Sequence, residues 1–175
     1  IGVDTVIADD PILTTRLTGH KKGRNPIRIV VDSTARIPLD SKILNTTSEA
    51  KTLVAVTSSA DKNKLDEIIA LGNEVIIVGE KNGRVDLNQL MKLLGEKGID
   101  GVLLEGGSTL NYAALESKIV DEVHAYIAPK IIGGYDAKTP IGGKGIEKMK
   151  DAVNLQNIRF ENIADDILVI GEVVY

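Results

Sequence analysis

Short apolar runs separated by helix-forming stretches constrain this chain more than any other feature. Ile27–Val31 (IRIVV), Leu53–Val56 (LVAV), Val75–Val78 (VIIV) and Val102–Leu104 (VLL) recur through its first two thirds. Runs this short and this uniformly apolar read as strands buried on both faces. Between the second and third lies a predicted helix near Lys62–Leu71, with Leu65, Ile68, Ile69 and Leu71 as apolar members. Ser58 and Ser59 offer N-caps for it and Gly72 a stop. Asp86 caps a second helix, in which Leu87, Leu90, Met91 and Leu94 fall at i, i+3, i+4 and i+7, and Gly98 ends it. A third helix is expected over Thr109–Ser117. Strands alternating with helices predict an α/β fold, with a mainly parallel sheet flanked by helices.

The C-terminal third has a different rhythm. Glu122–Ala128 reads as a strand and Gly133–Gly145 as a long loop. Asn157–Asn162 and Ile167–Val174 flank Ala164-Asp165-Asp166 and predict an antiparallel hairpin that finishes the sheet, making it mixed. The apolar Ile167–Val174 run is also a candidate edge for pairing with a second copy. No repeat, linker or low-complexity tract interrupts the 175 residues, which read as a single domain, 1–175.

Composition narrows the function classes. Aromatic residues are 3%, so the core must be aliphatic. The net charge of −4 argues against a dedicated nucleic-acid binder, which carries a basic surplus. The absence of cysteine excludes disulfides, thiolate metal sites, cysteine nucleophiles and the paired cysteines of zinc deaminases. No apolar stretch is long enough to cross a membrane and no signal peptide is visible, so a cytoplasmic location is expected. His20 and His124 are the only histidines, and a metal cluster or a Ser-His-Asp triad needs a histidine near defined partners. His20 lies in a basic loop with Lys21, Lys22 and Arg24, which suits a solvated connection or a phosphate contact.

Several constellations could carry chemistry. In Leu104-Glu105-Gly106-Gly107-Ser108-Thr109-Leu110 a strand runs through two glycines into a helix. Free N–H groups at a helix start suit a phosphate or pyrophosphate, with Ser108 and Thr109 as added donors. The same pattern also describes a plain glycine turn with Ser108 as N-cap, and it is not the G-x-G-x-x-G fingerprint. Glu105 sits at the carboxyl end of a predicted strand, where ligands of open α/β sheets bind. In Thr5–Arg16 a β-like run, Thr5-Val6-Ile7-Ala8, ends at Asp9-Asp10-Pro11 and leads to Arg16. That arginine is either an exposed surface group or a bidentate phosphate ligand. Asp32 and Ser33 end the strand Ile27–Val31, either as a polar turn or as a cofactor contact. Gly133-Gly134 and Gly142-Gly143-Lys144-Gly145 are flexible connections or phosphate nests, without P-loop spacing.

Taken together and in order, these segments resemble one family. Thr5-Val-Ile-Ala-Asp-Asp-Pro, Leu13 and Arg16, then Pro26 with Val31-Asp32-Ser33, then Leu104 to Leu110, then Val120-Asp121-Glu122, Ala128-Pro129-Lys130 and Gly133-Gly134, are similar to the riboflavin-biosynthesis reductases. The resemblance covers nearly the whole chain. It is nearest to the stand-alone archaeal 2,5-diamino-6-ribosylamino-4(3H)-pyrimidinone 5′-phosphate reductases, and extends to the C-terminal reductase domain of bifunctional bacterial deaminase-reductases. It implies a dihydrofolate-reductase-like fold, a homodimer, no metal, and NADPH, with NADH as the alternative, lying across the strand ends. It implies hydride transfer to ribose C1′ of the diaminopyrimidinone phosphate, or of its deaminated uracil counterpart. By position it assigns Thr5, Asp9, Ser33 and Gly106 to Asn111 (Gly106, Gly107, Ser108, Thr109, Leu110, Asn111) to the cofactor. Leu13, Arg16 and Glu105 go to the substrate, with Arg16 on the ribose phosphate and Asp9 as candidate proton donor. The competing reading is a nucleotide-binding module without catalysis. The resemblance also places a strand ahead of Ile1, and makes Asp4 an unusual acidic group beside a dinucleotide.

Overall fold

A computed structural model describes residues 1–17 and 23–175. The loop residues His20, Lys21 and Lys22 lie outside the described residues. The chain divides into two compact units, Ile1–Gly107 and Ser108–Tyr175.

In the first unit, helix α1 (Val3–Asp9) precedes strand β1 (Arg28–Val31), a short helix α2 (Lys42–Asn45), strand β2 (Thr52–Val56), helix α3 (Lys62–Ala70) and strand β3 (Glu74–Ile77). The three strands are parallel in the order β1-β2-β3, with Val30 opposite Val54 and Val54 opposite Val75. Every residue of the central β2 is buried, which is why Leu53–Val56 shows no polar alternation. Val3 and Val6 of α1, Ile43 and Leu44 of α2, and Ile68 of α3 close over Val30, Val54 and Val56 as one aliphatic core. Full burial of such a side chain stabilises by about 1.5–3 kcal/mol.

Three expectations need correcting here, and one hairpin was not anticipated. Thr5–Ala8 is helical rather than β-like, because Val3 and Val6, one turn apart, both enter the core. The cap of α3 is Asp61, whose carboxylate accepts from Lys64 N at 2.9 Å; the Ser59 hydroxyl is instead engaged by Thr57 Oγ1 at 2.6 Å. A two-residue hairpin, β4 (Glu80–Lys81) with β5 (Arg84–Val85), turns through Asn82-Gly83, a sequence suited to positive φ at both positions. Helix α4 (Leu87–Glu96) follows, capped by Asp86 as expected. Finally, Val102–Leu104 is not a strand. Among the described residues nothing pairs along it, and Leu103 is 77% exposed.

The second unit holds helix α5 (Ser108–Glu116) and strands β6 (Glu122–Ile127), β7 (Asn154–Ile163) and β8 (Asp166–Val174). The hairpin is present, with a bulge between Gln156 and Arg159, and its strands join β6 in an antiparallel sheet of their own, ordered β6-β8-β7. Ile167–Val174 is therefore the central strand and offers no free edge. His124 is exposed on β6, with Nε2 2.6 Å from Glu122 Oε1. That contact, with the His124 and Arg159 charges, holds the Glu122 carboxyl below its usual pKa. No helix among the described residues is long and apolar enough to cross a membrane.

Candidate functional site

The helical form of α1 decides how the first unit presents its chemistry. Thr5 and Asp9 are four residues apart and share one helix face, away from buried Val3 and Val6. Thr5 meets the glycine pair. A Cβ built on Gly107 would lie 3.1 Å from Thr5 Oγ1, so the glycine backbone seats directly against that hydroxyl. Gly2 N donates to Gly106 O at 3.0 Å, and the Gly106–Gly107 peptide is cis. Glu105, just before, is exposed. Thr5, Glu105, Gly106 and Gly107 thus gather around the start of α1, with Asp9 at its far end on the Thr5 face.

Asp4 points away from this group, toward Arg36, with Oδ1 2.8 Å from Nη2. Both side chains of that pair are exposed, so it adds little stability.

Ser33 and Asp32 lie at the carboxyl end of β1. Ser33 Oγ accepts from Val85 N at 3.1 Å, and its carbonyl accepts from Thr57 N and Thr57 Oγ1 at 3.0 and 2.8 Å. Asp32 is fully buried, with Oδ2 accepting from Ile37 N at 2.8 Å and Oδ1 without a partner. These groups tie the carboxyl ends of β1, β2 and β5 together, along the edge where open α/β sheets take ligands.

Leu13 and Arg16 ride on the segment after α1. Arg16 is exposed, whereas Leu13 is half-buried against the core and has φ +52°, an unfavourable conformation for a bulky L-residue. The segment is tied down at three points. The Asp10 carboxylate accepts from Lys42 N at 2.8 Å and lies 3.2 Å from Lys42 Nζ. Arg28 Nη1 donates to Ile12 O at 3.0 Å. Asn25 Oδ1 accepts from Thr15 N at 2.8 Å, and Thr15 Oγ1 donates to Arg24 O at 2.9 Å. Sequence reasoning missed Arg28 and Asn25, since their acceptors are largely backbone carbonyls, which leave no residue signature.

In the second unit the start of α5 carries Ser108, Thr109, Leu110 and Asn111, and the glycine-rich loop lies on it. Gly142 N donates to Ser108 O at 3.0 Å and Asn111 Nδ2 to Pro140 O at 2.8 Å. Tyr112 OH donates to Gly145 O at 3.2 Å. Gly143, at φ +79°, has no room for a Cβ, which would fall 2.1 Å from the Tyr112 ring. The Asn111 Oδ1 atom is buried without a partner. The loop anticipated as a connection or a nest is thus a cover for the first turns of α5, and Tyr112 was not foreseen in it.

Comparison with known proteins bears on these residues. Residues 1–169 match the family model described as the RibD C-terminal domain. The chain is 49% identical over 169 residues to riboflavin biosynthesis protein RibD of Actinobacillus pleuropneumoniae, covering 97% of this chain and 44% of that protein. It is 43% identical over 169 residues to the 2,5-diamino-6-ribosylamino-4(3H)-pyrimidinone 5′-phosphate reductase of Methanothermobacter thermautotrophicus, covering 97% and 76%. Among solved structures, RibD of Acinetobacter baumannii superposes with a TM-score of 0.80 at 26% identity, over 99% of this chain and 46% of that one. The chain spans less than half the length of the RibD proteins and about three quarters of the Methanothermobacter reductase. With a family model matching 169 of its 175 residues, the chain belongs to the RibD C-terminal domain family.

Proposed function

We propose that this chain is a pyridine-nucleotide reductase acting on 2,5-diamino-6-ribosylamino-4(3H)-pyrimidinone 5′-phosphate at ribose C1′. The observation that carries the reading is the seating of Gly107 on Thr5, a cradle that any side chain would fill. It leaves backbone close to open space beside a hydroxyl, which suits a pyrophosphate. Thr5, Asp9, Ser33 and Gly106 to Asn111 would hold the nicotinamide dinucleotide, NADPH in preference to NADH. When bound, that group supplies the hydride; the protein supplies orientation and electrostatics.

The remaining roles follow from charge and exposure. Arg16, exposed on an anchored segment, would clamp the ribose phosphate through two parallel N–H bonds. Leu13 lends an apolar contact, and Glu105 would accept from ribose hydroxyls. Asp9, exposed on the Thr5 face, would deliver the proton; an unchanged pH–rate profile in Asp9→Asn would remove it from that role. The match to the reductase named for the diaminopyrimidinone favours that substrate over the deaminated uracil.

A homodimer completes the proposal. Cross-strand partners share a sheet face, so Ala125, Ile127, Phe160, Ile167 and Val169 lie together on one side of the C-terminal sheet. Phe160 is 71% and Ile127 55% exposed. A patch of this kind on an antiparallel sheet suits a second copy of the same face.

The decisive test follows NADPH oxidation with the diaminopyrimidinone phosphate and separately with its uracil counterpart. Turnover that is lost at working substrate concentration in Arg16→Ala and Glu105→Ala, and in Arg16→Ala is recovered only at a much raised KM, supports the reading. Saturable NADPH binding without oxidation of either compound would leave a nucleotide-binding module in its place.

A further inference from the structure

We infer that Arg28 and Asn25 are positioning residues for substrate, holding the Leu13–Arg16 segment in its strained form so that Arg16 meets the phosphate already oriented. The inference rests on the reading of Arg16 as a phosphate ligand. Arg28 is 2% exposed, and among the described residues no carboxylate bonds to it. Its guanidinium instead collects oxygens from two separate stretches of chain. Nη1 donates to Ile12 O at 3.0 Å and Thr46 Oγ1 at 2.6 Å; Nη2 donates to Thr46 O at 3.1 Å and Ala50 O at 2.6 Å. Burying a cation to bond carbonyls is expensive when an aliphatic residue would fill the space, so stability alone is a poor account of it. What the guanidinium does that an aliphatic cannot is fix the Ile12 carbonyl to the connection between α2 and β2.

Asn25 repeats the arrangement from the other side. Its Oδ1 accepts from Thr15 N while its Nδ2 donates to Glu49 O at 2.9 Å, a carbonyl of that same connection. Ile12 and Thr15 are thereby fastened to one shelf, formed by Thr46, Glu49 and Ala50. Leu13 lies between the two fastenings at φ +52°, a conformation that persists only where neighbours over-determine it. Arg16 immediately follows the second fastening. Two side chains thus set the conformation of a segment that reaches the phosphate with its own exposed guanidinium.

The test uses the full chain with Arg28→Met, Arg28→Lys and Asn25→Ala, each alone and on an Arg16→Ala background. Misplacing the phosphate ligand should raise KM for the phosphorylated pyrimidine roughly 10- to 100-fold. The limiting kcat and the NADPH dissociation constant should stay within about twofold, because neither residue touches the cofactor cradle. Arg28→Lys should recover part of the loss. On the Arg16→Ala background the same changes should add almost nothing, the mark of residues acting through Arg16. Equal effects in both backgrounds, a loss confined to kcat, or a parallel loss of NADPH affinity would overturn the inference. If Arg28→Met does not fold, the half-buried Asn25 carries the test alone. An Arg16→Ala enzyme with unchanged KM would instead refute the phosphate reading itself, a result separable from failure of the two positioning residues.

Discussion

Gly107→Ala gives the sharpest check on the cofactor cradle. The backbone φ at Gly107 lies outside the left-handed region that favours glycine, and an added methyl meets Thr5. That carbon would sit 3.1 Å from Thr5 Oγ1, a few tenths of an ångström inside ordinary contact. Helix α1 cannot simply retreat, because Val3 and Val6 are 5% and 1% exposed and locked into the core. Relief must come from rotation of the Thr5 side chain, which has two accessible rotamers in a helix. The folding cost is therefore about 1 kcal/mol, the low end for overpacking, and should lower Tm by roughly 2–4 °C in a chain of this size. The effect on a dinucleotide should be larger, because the methyl occupies the approach of the pyrophosphate to the backbone. A loss of about 1.4–2.8 kcal/mol, a 10- to 100-fold rise in Kd, is expected. Fluorescence titration with NADPH and thermal unfolding separate the two effects. Adding Thr5→Ala should restore most of the lost Tm by removing the contact, yet leave NADPH affinity weak. A Gly107→Ala protein that is destabilised as expected but binds NADPH like the wild type would refute the cradle.

Three further outcomes can be checked. The Lys42 backbone N–H, more than the Lys42 charge, holds the Asp10 carboxyl below its ordinary pKa of 3.8. A depressed folded pKa contributes stability that is present above the unfolded value and lost as pH falls through the folded one. The stability difference between wild type and Asp10→Asn should therefore be flat from neutral pH down to about pH 5 and shrink only below 3.8 in urea titrations; a change centred near pH 7 would point to another group. Phe160→Asp and Ile127→Asp, on the apolar face of the C-terminal sheet, should convert a dimer to monomers in sedimentation without loss of NADPH binding to each chain, whereas an unchanged sedimentation coefficient would free that face of any role in assembly. Gly143→Ala meets both a positive φ and the Tyr112 ring, and should cost about 1–3 kcal/mol; loop 139–145 should become protease-sensitive while the hairpin β7–β8 stays protected.

What could be read from the sequence, and what could not, divides along physical lines. Buried strands announced themselves wherever burial is complete: Thr52–Val56 is buried at every position, and the expected run differs from it by one residue. Asp86 was legible as a cap because its oxygen bonds N–H groups only two and three residues ahead. The helix α1 was not, since Thr5-Val6-Ile7 carries β-branched side chains and the preference is reversed only by Val3 and Val6 entering a core built from distant strands. In the site, Gly106-Gly107 was visible as a turn, but its partner Thr5 lies about a hundred residues earlier, and only the folded backbone brings the two together. The most instructive miss is Val102–Leu104. Its composition suits a strand, yet a strand exists only where another backbone pairs with it. Gly2 bonds this stretch only beyond the run, at Gly106. The Ile1 amine donates to Ile29 O, Val31 N donates to Ile1 O, and on the opposite side Gly2 N donates to Gly106 O. Gly2 also bridges Val31 in parallel. The chain therefore enters between β1 and the segment leading to Gly106. A single bond at Gly106 makes no ladder along Val102–Leu104, so among the described residues a run whose composition suits a strand stays unpaired.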